Sequence, residues 1–167
     1  WEHYPDNAHH FLQALYQELT SNPRIRLSTF SEMAAQLQAD NFDHICPGSW
    51  IYGSFSTWIG EKDKNSAWEA LVEAKQTYDR VLSEDTLSCK QLERATAQLA
   101  ICESSDWFWW FGDYNPHESV RDFDQMFRSH LKNLYLCLDQ PAPERLEQPF
   151  SLGNQHSTLA GAMRKAG

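Results

Sequence analysis

The stretch Ser105-Asp106-Trp107-Phe108-Trp109-Trp110-Phe111 decides the fold of this chain, because it places five large aromatic rings directly behind one acid. At about 100° per residue, a helix here carries Asp106, Trp109 and Trp110 on one face. The opposite face consists of Trp107, Phe108 and Phe111. We expect Gly112 to end this helix, because glycine is favoured just beyond a helix C-terminus.

Asp106 is the residue of this stretch that most needs an explanation. If the preceding helix runs through without a break, the face of Asp106 continues an apolar stripe made of Leu92, Ala95, Leu99 and Cys102. An acid on a core-facing stripe needs a partner, because an unpaired buried carboxylate is expensive. Two interpretations stay open: Asp106 is structural, bonded to a helix end or to Arg128, or it belongs to a site.

Further aromatic stretches occur along the chain in a fixed order. They are Trp1-Glu2 with Tyr4-Pro5-Asp6-Asn7, Pro47-Gly48-Ser49-Trp50-Ile51, Trp58-Ile59-Gly60-Glu61 with Asn65, Ala67 and Trp68, the run from Ser104 to Asp113, and Phe123-Asp124 with Phe127 and Arg128. In this order they resemble the alpha-amylase-like branch of glycoside hydrolase family 57, whose members act on alpha-glucans. The resemblance covers residues 1 to about 140.

The resemblance implies a fold and a role for this chain. Catalytic domains of the family are incomplete βα-barrels followed by helices, and both catalytic carboxylates of these retaining enzymes, a Glu and an Asp, precede the position that matches Trp1. No catalytic residue is therefore expected here, and the chain is expected to be inactive alone. The element Asp106-Trp107 is expected to face the substrate groove, with Trp50 as a third member.

These residue types suit a sugar. A carboxylate accepts hydrogen bonds from sugar hydroxyls, while the flat face of an indole packs on the apolar face of the ring. For Trp50 and Trp58, the alternative is that both rings simply pack their loop onto the helices. The loop at residues 41–64 is long, and loops of this length are usually functional or disordered.

Composition narrows the function classes further. A length of 167 residues suffices for one domain with a real core, and a net charge of −9 argues against a nucleic-acid partner. The four cysteines lie far apart without zinc-type spacing, so we expect reduced thiols in a cytoplasmic protein, with no metal and no cofactor. No apolar run approaches the roughly 20 residues of a membrane span. Because the chain opens on Trp1, we expect it to be part of a longer protein.

The predicted fold class is mainly α. Residues 1–40 are expected to form a helix, a short strand at Arg24–Leu27 and a second helix starting near Ser31, as the remnant of a βα-barrel. Residues 65–140 are expected to form an antiparallel three-helix bundle, because three apolar stripes are joined by short polar turns. Residues 141–167 hold several Pro and Gly without periodicity and are expected to be an extended C-terminal arm.

The three stripes of the predicted bundle identify its core. They are Trp68, Leu71, Val72, Tyr78 and Leu82; Leu92, Leu99 and Cys102; and Val120, Phe123, Phe127, Leu131, Leu134 and Leu138. Ser88 is expected to cap the second helix, with Gln91 at the reciprocal position of a capping box.

Two functions from different classes are compatible with the sequence. The first is the C-terminal helical part of a family 57 hydrolase or transglycosylase, which binds an alpha-glucan together with an upstream barrel domain. The second is a stand-alone helical module whose tryptophan surface docks another protein, because exposed aromatic patches mark interfaces generally. A reading frame that extends upstream into a barrel with a catalytic Glu would favour the first.

Overall fold

The computed structural model describes residues 1, 3–38 and 40–154, and within them the chain is mainly helical. The six α-helices of this part are α1 (His9–Ser21), α2 (Phe30–Gln36), α3 (Lys62–Ser83), α4 (Cys89–Cys102), α5 (Asp106–Trp110) and α6 (His117–Cys137). Short 3-10 helices cover Pro5–Ala8 and Glu144–Glu147. The same residues contain no β-strand, and one isolated parallel bridge joins Pro116 to Asn154.

The chain divides into two compact units, Trp1–Ile45 and a second unit that begins at Cys46. In the first unit the predicted strand at Arg24–Leu27 is not formed, so the expected helix–strand–helix order is wrong at its centre. An isolated extended segment is not stabilised, because its N–H and C=O groups need a neighbouring strand. Helix α2 begins at Phe30 with a capping box, in which the N–H of Glu32 donates to Thr29 Oγ1 at 3.2 Å and the N–H of Thr29 donates to the Glu32 carboxylate at 2.8 Å.

In the second unit, helices α3, α4 and α6 contact one another pairwise around one hydrophobic core. Phe127 and Leu131 of α6 are completely buried, as the sequence predicted. Helix α4 begins with the predicted capping box, in which the N–H of Gln91 donates to Ser88 Oγ at 3.3 Å. The aromatic helix α5 packs against α6, so its position is determined by this helical core.

The buried side of α3 differs from the predicted stripe. Leu71 and Tyr78 are buried as expected, whereas Val72 and Leu82 are exposed. Three further buried positions of α3 are occupied by the small residues Ala67, Ala70 and Ala74. The predicted buried face of α3 was chosen from its large apolar residues, and it is rotated about the helix axis relative to the buried face in the structure. The difference arises because alanines occupy part of the buried face, where their small side chains let the neighbouring helices approach closely.

The helix that precedes the aromatic stretch does not run through it. Residues 103–105 interrupt it, so that α4 ends at Cys102 and α5 begins at Asp106. The condition under which Asp106 would face the core, a continuous helix, is therefore not met. The opposite face of α5 is the buried one, and it consists of Trp107, Phe108 and the following Phe111. Gly112, with φ of +112°, ends the helix as predicted.

The segment after α6 packs against the helices as far as it is described. Leu146 in the 3-10 helix is almost completely buried. The carboxylate of Asp124 in α6 accepts the backbone N–H of Phe150 at 2.7 Å and that of Ser151 at 3.3 Å. Residues 155–167 of the predicted C-terminal arm lie outside the described residues, as does Glu2.

No helix within the described residues is both long enough and apolar enough to span a lipid bilayer.

Candidate functional site

An open pocket of about 440 Å³ lies where the loop before α3 meets the start of α5. We call it the tryptophan pocket, and it is lined by Trp50, Trp58, Ser105, Asp106, Trp109 and Trp110. All six residues belong to the unit that begins at Cys46. The loop that carries the first two residues and the helix that carries the last three are distant in sequence, so the pocket is a product of the fold.

Three of the tryptophans form one continuous aromatic surface. Trp50 stacks on Trp109 with ring centroids 6.3 Å apart and an angle of 11° between the planes. Trp58 lies 5.7 Å from Trp109 in a tilted arrangement. Trp50 is 79% exposed, so its outer face is available to a ligand.

Two features hold the loop in shape around Trp50. The Ser49 hydroxyl accepts the backbone N–H of Ile51 at 3.1 Å, and the Ile51 side chain is buried. Gly48 lies against the turn, since a Cβ atom there would be 2.8 Å from the carbonyl oxygen of Gly53. The exposed Trp50 ring is therefore carried on a closed turn rather than on a free segment.

Trp58 and Trp110 are fixed by neighbours outside the pocket. The indole N–H of Trp68 donates to the carbonyl oxygen of Trp58 at 2.9 Å, and the Trp68 ring stacks on Phe108 with centroids 3.8 Å apart. Trp110 stacks on Phe123 of α6 at 4.9 Å. Both walls of the pocket are thus supported by rings that reach the core.

The end of α5 is closed by a side chain that the sequence did not single out. Asn115 is completely buried, and its Nδ2 group donates to the carbonyl oxygens of Trp109 at 3.2 Å and Trp110 at 2.9 Å. These two carbonyls lie in the last turn of α5, where the helix itself supplies no donor. Asn115 therefore sets the direction of the helix end that carries both pocket tryptophans.

Asp106 is exposed, and its side chain makes no hydrogen bond or ion pair within the described residues. The alternative partner Arg128 is engaged elsewhere, since its Nε donates to the buried carboxylate of Asp124 at 2.7 Å. The core-facing acid that requires a partner is therefore Asp124 and not Asp106. Asp106 is left with a free carboxylate at the rim of the tryptophan pocket.

Trp107 does not line the tryptophan pocket. Its side chain is buried among Phe123, Phe127 and His130, with ring centroids between 5.5 and 6.1 Å away. Its indole N–H donates to the carbonyl oxygen of Ile101 at 2.9 Å. Adjacent residues on a helix point about 100° apart, so Asp106 and Trp107 project in different directions. Of the three predicted site residues, the structure brings together Trp50 and Asp106 and leaves out Trp107.

Trp109 and Trp110 are pocket residues that were not among the predicted site residues. Their signal was present in the sequence, because the helical spacing places them on the same face as Asp106. Trp58, which with Trp50 is one of the two loop tryptophans suited to a sugar ring, also lines the pocket. The buried Lys64 contacts the backbone of both pocket walls and was not anticipated, because the predicted bundle begins only at residue 65.

The chemistry of the pocket suits binding rather than bond cleavage. Of the six described residues that line it, Asp106 alone carries a charge, whereas glycoside hydrolysis usually uses two carboxylates about 5–5.5 or 6.5–9.5 Å apart. A flat aromatic surface beside one carboxylate is a good surface for a polyhydroxylated ring. Within the described residues, no group of three or more His, Cys, Asp or Glu side chains is arranged to hold a metal ion.

In comparisons with known proteins, no family model, no curated protein and no solved structure matched this chain. The membership of family 57 that the resemblance implies therefore stays a prediction.

Proposed function

We propose that this chain is the C-terminal helical part of a family 57 glycoside hydrolase of the alpha-amylase-like branch. In this proposal the whole enzyme acts on alpha-glucans, as a hydrolase or a glucanotransferase. The tryptophan pocket forms one part of the substrate groove, and the chain alone is inactive because the catalytic Glu and Asp lie outside it. The enzyme needs no metal and no cofactor, and it works in the cytoplasm.

The observation that supports this proposal best is the convergence of Trp50 and Asp106 in one pocket. They come from two separate stretches that resemble the family, and apart from that resemblance no pattern in the sequence groups them. In the proposed groove, the exposed face of Trp50 packs on a glucose ring, and the free carboxylate of Asp106 accepts hydrogen bonds from its hydroxyls. Trp58, Trp109 and Trp110 extend the aromatic surface, while Trp107 holds α5 from behind.

The proposed architecture assigns a role to each part of the chain. Helices α3, α4 and α6 form an antiparallel three-helix bundle, and residues 1–40 form the end of the barrel. The first unit supports this assignment because it exposes large apolar side chains that a complete barrel would cover. They include Phe30 at 96% and Leu37 at 62% exposure.

A second candidate function is a helical module that docks another protein through its tryptophan surface. The observation in its favour is the exposure of Trp50 together with Tyr52 and Phe55 on the same loop. A protein partner would bury these rings in the core of an interface, where aromatic residues are enriched. This function predicts that the chain acts without an upstream catalytic domain.

The first of two experiments decides between the candidates, and the second tests whether the chain is inactive alone. The reading frame that encodes this chain is sequenced upstream of Trp1, where the first proposal expects a barrel with a catalytic Glu and an acid-bearing motif. The chain itself is then incubated with a maltooligosaccharide while reducing ends are followed. We expect no turnover above a heat-inactivated control, because both catalytic carboxylates are absent. Turnover by the chain alone would show that the chemistry had been misplaced.

A further inference from the structure

Lys64 is the most deeply buried charged side chain beside the tryptophan pocket, and its place in α3 gives it no contact with solvent. An ammonium group carries three N–H donors, and burying any of them without an acceptor is costly. Here each donor has an oxygen acceptor. They are the carbonyl oxygen of Thr57, the carbonyl oxygen of Phe108 at 2.7 Å and the hydroxyl oxygen of Tyr114.

The three acceptors come from three different segments. Thr57 belongs to the loop and directly precedes Trp58, whereas Phe108 belongs to α5 and directly precedes Trp109. Tyr114 lies in the turn between α5 and α6. A single nitrogen atom therefore bonds the backbone of both pocket walls at positions next to pocket tryptophans.

Other roles of a buried lysine do not fit this geometry. Lys64 is not among the residues that line the tryptophan pocket, so it cannot contact a ligand there as a base or a nucleophile. Both carbonyl groups are main-chain groups, and hydrogen bonds to them fix the course of the chain rather than the position of one side chain. Charge-assisted bonds of this kind are stronger than bonds between neutral groups.

We infer that Lys64 is a positioning residue, which holds the loop of Trp50 and Trp58 against helix α5 and thereby sets the shape of the tryptophan pocket. The inference rests on the proposed function only for the statement that the pocket receives a sugar. The positioning itself is a property of the folded chain and can be tested without any ligand.

The test uses the whole 167-residue chain with fluorotryptophan in place of its seven tryptophans. Each fluorine resonance is assigned by a single Trp→Phe variant, and the spectrum of Lys64→Met is compared with that of the unchanged chain. Lys62→Met is the matched control, because Lys62 is an exposed lysine on the same helix. No sugar is added, so the result bears on Lys64 whether or not the proposed function is correct.

We expect Lys64→Met to shift or broaden the resonances of Trp50, Trp58 and Trp109 and to leave those of Trp107 and Trp1 unchanged. Lys62→Met should change none of them. A folded Lys64→Met chain with an unchanged spectrum would overturn the inference. A change of similar size at Trp107 would also overturn it, because it would indicate a general loss of packing.

If Lys64→Met does not fold, Tyr114→Phe takes its place, because it removes one of the three acceptors and keeps the ammonium group. The same selective pattern, with smaller shifts at Trp58 and Trp109, is expected. An unchanged spectrum of Tyr114→Phe in that case would count against Lys64 as the link between the pocket walls.

Discussion

Trp107 and Trp50 show how differently two tryptophans of one chain are used. Trp107 is 8% exposed and bonds Ile101, whereas Trp50 is 79% exposed. We expect Trp107→Ala to lower the free energy of unfolding by about 3–5 kcal/mol, because it opens a cavity in the core. Trp50→Ala should change it by no more than about 0.5 kcal/mol. Chemical denaturation followed by circular dichroism measures both, and equal effects would contradict the assignment of Trp107 to the core.

Lys64 gives the chain a specific dependence on pH. Burial lowers the pKa of Lys64 from 10.5 to about 8, while the nearby carboxylate of Asp63 opposes this change. Between pH 8 and 10.5 the unfolded chain therefore binds more protons than the folded chain. The contribution of Lys64 to the free energy of unfolding rises with pH across this window and is constant below it.

The neutral amine can keep all three contacts. It retains two N–H donors for the carbonyl oxygens, and its lone pair can accept the hydroxyl proton of Tyr114. Burial, assisted by the charge of Asp113, raises the pKa of Tyr114 to about 12, so this proton is still present at pH 10.5. We expect the difference in unfolding free energy between the unchanged chain and Lys64→Met to shift in favour of the unchanged chain from pH 8 to pH 10.5. A flat or falling difference would contradict this.

At the scale of single elements, Asp124 connects α6 to the segment that follows it. Its carboxylate bonds Arg128 Nε and accepts two backbone N–H groups near Phe150. Removing one partner of a buried ion pair costs about 3–5 kcal/mol, because the other charge is left uncompensated. We expect Asp124→Asn to approach this loss and to speed hydrogen exchange at Phe150 and Ser151.

Asp122→Asn is the control for this substitution. Asp122 lies on the same helix and pairs with Arg121, but both side chains are more than half exposed. Exposed pairs contribute about 0–1 kcal/mol, so the stability should hardly change. Equal losses of stability in the two variants would contradict the expectation that the buried ion pair of α6 contributes more to the free energy of unfolding than the exposed one.

The ends of the helices could be predicted from the sequence where residues close to the end mark it. The capping box at Ser88 and the stop at Gly112 depend on residues a few positions apart, and both predictions are confirmed. The break at residues 103–105 contains neither Gly nor Pro, and its local signal is only the pair Ser104-Ser105, because serine favours caps and turns. Because of this break, Asp106 faces solvent. A helical wheel drawn for one continuous helix places it on the core-facing side instead.

At the scale of the whole molecule, the tryptophan pocket depends on contacts between distant parts of the chain. Angular spacing correctly separated Asp106, Trp109 and Trp110 from the buried rings of α5. It could not show that the loop of Trp50 would pack against Trp109, because that contact depends on where α3 and Lys64 hold the loop. The family resemblance grouped Trp107 with Asp106 as neighbours in sequence, although neighbours on a helix face different directions.

The most direct measurement of the proposed role is made on the longer enzyme to which we propose that this chain belongs. Asp106→Asn keeps the shape of the side chain, and its kcat/KM on a maltooligosaccharide and its thermal midpoint are both measured. Asp113→Asn is the control, because Asp113 is also exposed but lines a different pocket, with Glu61. We expect Asp106→Asn to lower kcat/KM by on the order of tenfold or more, each ~1.4 kcal/mol being tenfold, with the midpoint nearly unchanged. An unchanged kcat/KM, or a collapsed midpoint in a variant whose folded fraction keeps its activity, would contradict the assignment of Asp106 to the substrate groove.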